Sequence, residues 1–159
     1  MHMQVDPDDS CDAAGTRIAW ARVAGFASAV DSHLDRWLAD TYRVGLTEFR
    51  ALDLLSRAPE NELRVNDLAQ RVGLDPSSAT RMVTRLAAKG FARRDVCEAD
   101  GRGVYAVLEH KGADLLRVVR APYTERVEKL LGDASAHFPQ LDARYTAEAL
   151  AAVASIVEP

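Results

Sequence analysis

Apolar positions recur along this chain with two different periods, and the changes of period divide it into elements. From Thr16 to Tyr42, Trp20, Val23, Ala27, Val30, Leu34 and Trp37 advance in steps of three and four, the spacing of one helix face and of a coiled-coil seam. The stretch 44–47 interrupts it, and Thr47 reads as the cap of a helix over 48–57 with Phe49, Leu52 and Leu55 inward. Pro59 and Asn61 mark a loop. Val65, Leu68, Ala69 and Val72 make the stripe of a short helix that ends at Gly73, where a left-handed residue is most often needed. Asp75 can cap the next helix through its carboxylate, and Pro76 suits a first helical position because it has no amide hydrogen to leave unpaired. That helix is predicted from Pro76 to about Lys89, with Gly90 as its stop.

Beyond Gly90 the period shortens to two. Residues 91–97 and 104–108 alternate or carry β-branched side chains, and the turn formers of 98–103 lie between them, which predicts a hairpin with Arg102 near its tip. Helical spacing returns over 111–131 through Leu115, Val119, Val127 and Leu130, with Pro122 inside, where it removes one backbone bond and predicts a kink. A loop over 132–139 precedes a last helix over 141–157, with Tyr145, Leu150, Val153 and Ile156 apolar. The fold class is therefore mainly α with a small β-hairpin wing, a winged helix-turn-helix flanked by N- and C-terminal helices. The domain reading is one compact domain: a disordered polar terminus over 1–13, helical dimerisation regions over 14–46 and 111–159, and the winged unit over 47–110. The flanking helices have apolar stripes and no partner domain, so pairing between two copies of the chain is the economical way to bury them.

The helix over 76–89 has two unlike faces. Ala79, Met82, Val83 and Leu86 form a buried stripe, while Ser77, Thr80, Arg81 and Thr84 point away from it, with Ser78 and Arg85 on the flanks. Short hydroxyls permit close approach to phosphates and base edges, and arginine can pair with guanine O6 and N7 through two parallel hydrogen bonds. Which of these residues meets a base and which a phosphate is left open. Arg93 and Arg94 stand where the first wing strand would run along a nucleic-acid backbone, Arg102 lies at a distance suited to the adjacent minor groove, and Asp100 can hold its guanidinium.

The chain has 159 residues, 48% of them apolar, enough for one domain with a sizeable core. Its net charge is −4, yet residues 64–102 hold eight Arg/Lys against five Asp/Glu, so a basic module of +3 sits on a body of −7. That module meets phosphate with the right sign. No apolar run approaches the ~18 residues of a membrane span, and the acidic start (Asp6, Asp8, Asp9, Asp12) lacks the order of a signal peptide, so a cytoplasmic protein is expected.

These features together resemble the MarR family of bacterial transcriptional regulators, over roughly residues 25–131. The most specific pieces are DLAQRVGLDPSSATRMVTRLAAKGFARR and ADGRGVYAVLEHKGADLL. Asp100, Arg102, Val107, Leu108 and Gly112 fit the family's wing pattern, whereas Glu109 and Arg64 replace threonines that usually cap helices. The resemblance implies that 76–89 is the recognition helix, that Asp100 braces the wing and that Arg102 enters the minor groove. It also implies a homodimer joined through its terminal helices. Such a protein represses by occupying a pseudo-palindromic double-stranded DNA operator and is released by a small aromatic or phenolic effector. Trp20, His33, Trp37 and Arg50 are the candidate effector contacts, against plain core packing of the tryptophans and a surface ion pair for Arg50.

No nucleophile-elbow, phosphate-loop or zinc-ligand spacing is present, and the four histidines are scattered, so neither an enzyme, a metal site nor a cofactor is expected. Cys11 and Cys97 read as free thiols. One branch of the family senses peroxide through a cysteine in the first helix, but Val23 stands near that place here. Two rival readings are a thiol-based redox regulator acting through Cys97 or Cys11, and a winged helix that binds a protein instead of DNA. Arg81, Arg85 and Arg102 speak against the second, because a protein interface favours apolar residues.

Overall fold

The computed structural model describes residues 9–97, 101 and 103–138. Among the described residues, six α-helices and three strands follow in the order α1 (Asp9–Tyr42), α2 (Leu46–Arg57), β1 (Glu62–Arg64), α3 (Val65–Val72), α4 (Pro76–Lys89), β2 (Ala92–Cys97), β3 (Gly103–Leu108), α5 (His110–Gly132) and α6 (Ala134–His137). The chain divides into two compact units, one spanning Leu34–Arg126 and the other formed by residues up to His33 and from Val127 on. The predicted class, mainly helical with a small wing, is borne out.

Within the 34–126 unit, local sequence signals govern the helix-turn-helix. Gly73 ends α3 in the left-handed conformation (φ 72°), and the Leu74 amide donates to the Ala69 carbonyl at 2.9 Å, closing the last turn. Gly90 (φ 73°) ends α4 in the same manner, with the Phe91 amide donating to Leu86. Leu68 and Ala69 of α3, Ala79, Met82, Val83 and Leu86 of α4, and Leu52 and Leu55 of α2 are buried, so three short helices share one core. The strands form one antiparallel sheet in the order β1-β3-β2, with Leu63 opposite Ala106 and Arg94 opposite Ala106 from the other side. Phe49 packs on Tyr123 of α5 with ring centroids 4.6 Å apart.

Several boundaries differ from expectation. α1 begins at Asp9, seven residues before Thr16, so residues 9–13 are helical. Its buried stripe in the single chain is Phe26, Val30, Leu34 and Leu38, in place of the seam through Trp20, Ala27 and Trp37. Thr47 does not cap α2. The N-cap is Gly45, whose amide donates to the Glu48 carboxylate at 3.0 Å, while the Leu46 amide donates to Asp35 of α1 at 2.7 Å. β1 was not expected. It follows a 3-10 turn over Pro59–Asn61 in which Glu60 and Asn61 take left-handed φ of 54° and 57°. α6 occupies part of the predicted 132–139 loop. α5 runs through Pro122 as one helix. In the other unit, Phe26 meets Phe138 edge-on at 5.9 Å, and His33 meets His137 at 6.0 Å. The predicted helix over 141–157 and residues 1–8 of the predicted disordered terminus lie outside the described residues.

Candidate nucleic-acid interface

α4 presents its polar face to solvent as its periodicity predicts. Ser77, Thr80, Arg81, Thr84 and Arg85 are exposed and Ser78 is half-buried. The helix N-terminus is fixed by Asp75, which accepts three hydrogen bonds: from the Ser77 hydroxyl at 2.7 Å, the Ser78 hydroxyl at 2.7 Å and the Ser78 amide at 2.9 Å. These bonds, the Ser77 hydroxyl first, hold the Asp75 carboxyl well below the usual carboxylate range. The Ser78 oxygen also accepts from Arg81 at 3.0 Å, laying that guanidinium along the helix face. Thr80 and Thr84 each donate back to a carbonyl four residues earlier, on Pro76 and Thr80, both at 2.9 Å. The hydroxyl protons of this face are thus committed within the helix. A phosphate would draw them away, whereas the Arg81 guanidinium already stands in solvent.

The sheet places the two strand arginines differently. Side chains alternate along a strand, so Arg94 shares the face of buried Ala92 while Arg93 takes the other. Arg93 is held by two carboxylates, Asp95 at 2.8 Å and Glu109 at 2.9 Å, and Asp95 above all pushes its pKa up. Glu109, which stands where the family wing pattern usually has threonine, therefore has a partner here. Arg94 lines a polar cleft of about 290 Å³ between α4 and the sheet, together with Arg64, Val65, Asn66, Thr80, Gly101, Gly103 and Val104. Sequence reasoning identified Thr80 and Arg94 but not Arg64, which the antiparallel register of β1 on β3 brings there, or Asn66 in the first turn of α3. The hairpin closes through Val96 opposite Val104 and Cys97 opposite Gly103, with Gly101 at φ 57°. Asp100 and Arg102 lie outside the described residues, as do the side chains of Cys11 and Cys97.

Beneath α4 lies Glu48, the buried charged side chain among the described residues. Burial pushes its carboxyl up, but hydrogen bonds from Lys89 and the Gly45 amide, with the Lys89 charge and Arg85, outweigh that and leave it lowered. The signal for Glu48 was local: it sits three residues beyond Gly45, where a capping-box carboxylate belongs. Its partners on α4 were not legible.

The four candidate effector contacts divide between the two units. Trp20, 66% exposed, and half-buried His33 belong to one. Half-buried Trp37 and exposed Arg50 belong to the other. Trp37 meets Tyr42 edge-on at 5.5 Å and carries the Arg126 guanidinium 5.2 Å from its ring centre. Among the described residues no helix is long and apolar enough to cross a membrane, and no group of three His, Cys, Asp or Glu stands together as a metal site.

Two capped helices at a tight turn, a solvent-facing second helix and a three-stranded wing define a winged helix-turn-helix protein. Residues 44–103 match the model of the MarR family, so the resemblance read from the sequence is borne out over that stretch. An uncharacterised HTH-type transcriptional regulator of Mycobacterium leprae is 35% identical over 89 residues, which cover 55% of this chain and 61% of that relative. The match thus spans less than two thirds of the relative's length. A MarR family transcriptional regulator from Streptomyces coelicolor, solved in complex with DNA, superposes with a TM-score of 0.71 at 22% identity, over 99% of this chain and 89% of that one. A MarR/EmrR family transcriptional regulator from Acinetobacter sp. ADP1 gives 0.64 at 25% identity, over 79% and 88%. These relatives are transcriptional regulators, in line with the sequence reading.

Proposed function

We propose that this protein is a DNA-binding transcriptional regulator, a homodimeric repressor that occupies a pseudo-palindromic operator and is released by a small aromatic or phenolic effector. The observation that carries the DNA-binding reading is the exposed face of α4, where Ser77, Thr80, Arg81, Thr84 and Arg85 lie together, with Thr80 in one cleft with Arg94. A 14-residue helix standing clear of the core on that face fits the major groove. The solved Streptomyces relative in complex with DNA supports the same partner. In this reading Asp75 positions the N-terminal turn, Arg81 and Arg94 make the principal contacts, and Asp100 and Arg102 act from the wing into the minor groove. Exposed Ile18 and Trp20 of α1 and Val118 and Leu131 of α5 support burial against a second copy. Trp20, His33, Trp37 and Arg50 remain the proposed effector contacts.

The test is titration of duplex DNA at several salt concentrations. Arg94→Ala lowers the salt slope by about one if Arg94 meets a phosphate. Arg81→Ala instead costs about 1–3 kcal/mol with altered base preference if Arg81 reads a base. Unchanged affinity and slope for both variants refute the interface. Titrating the protein–DNA complex with phenolic acids tests release, and the effector reading falls if neither tryptophan quenching nor dissociation occurs.

A further inference from the structure

Resting on the DNA-binding reading above, we infer that Glu48 is a specificity-determining residue: it withholds the Arg85 charge from phosphate and so weakens attachment to DNA of arbitrary sequence. Glu48 stands at the first turn of α2 with its carboxylate only 7% exposed, and two cations of α4 converge on it. They are not held alike. The Lys89 ammonium lies 2.6 Å from Oε2 and also donates to the Arg43 carbonyl at 3.1 Å, so it is fixed at the α1–α2 turn. The Arg85 Nε lies 3.4 Å from Oε1, beyond the ~2.7–2.9 Å of a strong charge-assisted bond, and 59% of its side chain is open to solvent.

Arg85 also follows Arg81 by four residues, one helical turn along the exposed face. A phosphate reaching that face would compete with Glu48 for it. On that loss Lys89 and the Gly45 amide at 3.0 Å would still hold the carboxylate through Oε2, and Oε1 would give up its Arg85 contact. The Lys89 ammonium already offsets the buried negative charge. The long Arg85 contact lowers the free charge that the helix offers to any phosphate. Sequence-independent affinity follows the number of phosphates neutralised, so a cation returned to a carboxylate subtracts from that affinity before any base is read.

The experiment measures binding of a random-sequence duplex against salt for the full chain, Glu48→Gln, Arg85→Ala and the double variant. The glutamine keeps an acceptor for the Gly45 amide. The expected result is a slope steeper by about one for Glu48→Gln, with tighter binding to the random duplex, and return to the starting slope when Arg85→Ala is added. An unchanged slope for Glu48→Gln overturns the inference while leaving the DNA-binding reading intact, as does a steepening that survives loss of Arg85. Should Glu48→Gln fail to unfold cooperatively, Arg85→Ala alone decides: a fall in slope below about half a unit supports Glu48 as its partner, and a fall of a full unit overturns it. No duplex binding by any of the proteins overturns both readings.

Discussion

Gly112 lies in the first turn of α5, and an alanine there would collide with the wing. A Cβ at this position would stand 2.2 Å from the Phe91 carbonyl oxygen, 3.0 Å from its carbon and 2.9 Å from Leu108 Cδ1. The oxygen contact is roughly 1 Å shorter than ordinary van der Waals contact allows. The oxygen cannot swing aside as a side chain would, because it belongs to the backbone that starts β2 and accepts the Glu109 amide at 3.0 Å. Relief requires α5 and the sheet to separate, which weakens that hydrogen bond. Overpacking of this kind costs about 1–3 kcal/mol, and the weakened bond adds about 1 kcal/mol. Better helix propensity returns about 1 kcal/mol, so Gly112→Ala is expected to destabilise by about 1–3 kcal/mol. For a chain of this size that lowers Tm by about 3–9 °C. Thermal and urea unfolding followed by far-UV circular dichroism measure it. A variant as stable as the parent, or more stable, refutes the claim that this glycine exists for the close approach of Phe91.

Three other outcomes are expected. Met82→Ala removes a fully buried side chain from the core shared by α2, α3 and α4 and costs about 2–5 kcal/mol by urea unfolding. Gly73→Ala forces a side chain into φ 72° and costs about 1–2 kcal/mol by the same assay, although nothing crowds the site. Asp75→Ala removes the α4 cap. The Asp75 pKa is depressed in the folded chain, so its stabilisation is fully present above the ordinary value of 3.8 and declines as pH falls below it. The Tm difference between parent and Asp75→Ala is therefore constant from pH 7 to 5 and shrinks in more acid solution, and a gap that widens there contradicts the sign.

The helix-turn-helix was legible because its determinants are local. Gly73, Asp75, Pro76 and Gly90 fix the ends of α3 and α4 within a few residues of where they act. The elements set by distant partners were not legible. β1 has three residues, too few for a period, and exists because β3 pairs with it. The acceptor for the Leu46 amide at the start of α2 is Asp35, eleven residues away on another helix. On α1, Val30 and Leu34 belong equally to the expected seam and to the stripe of Phe26 and Leu38 that the single chain buries, and only the packed fold shows the second stripe. At the interface, the exposed face of α4 followed from periodicity. The ties of Arg93 to Glu109 and of Glu48 to Lys89 join residues 16 and 41 apart and needed the fold.

Entry of α4 into the major groove of duplex DNA can be read from methylation interference on sites selected from a random duplex library. Guanine N7 faces that groove. N7 methylation is expected to block binding at guanines in two half-sites about one helical turn apart, and Arg81→Ala or Arg94→Ala to weaken the selected complex. Selection that enriches no sequence, or binding indifferent to N7 methylation throughout the enriched site, would contradict entry into the groove.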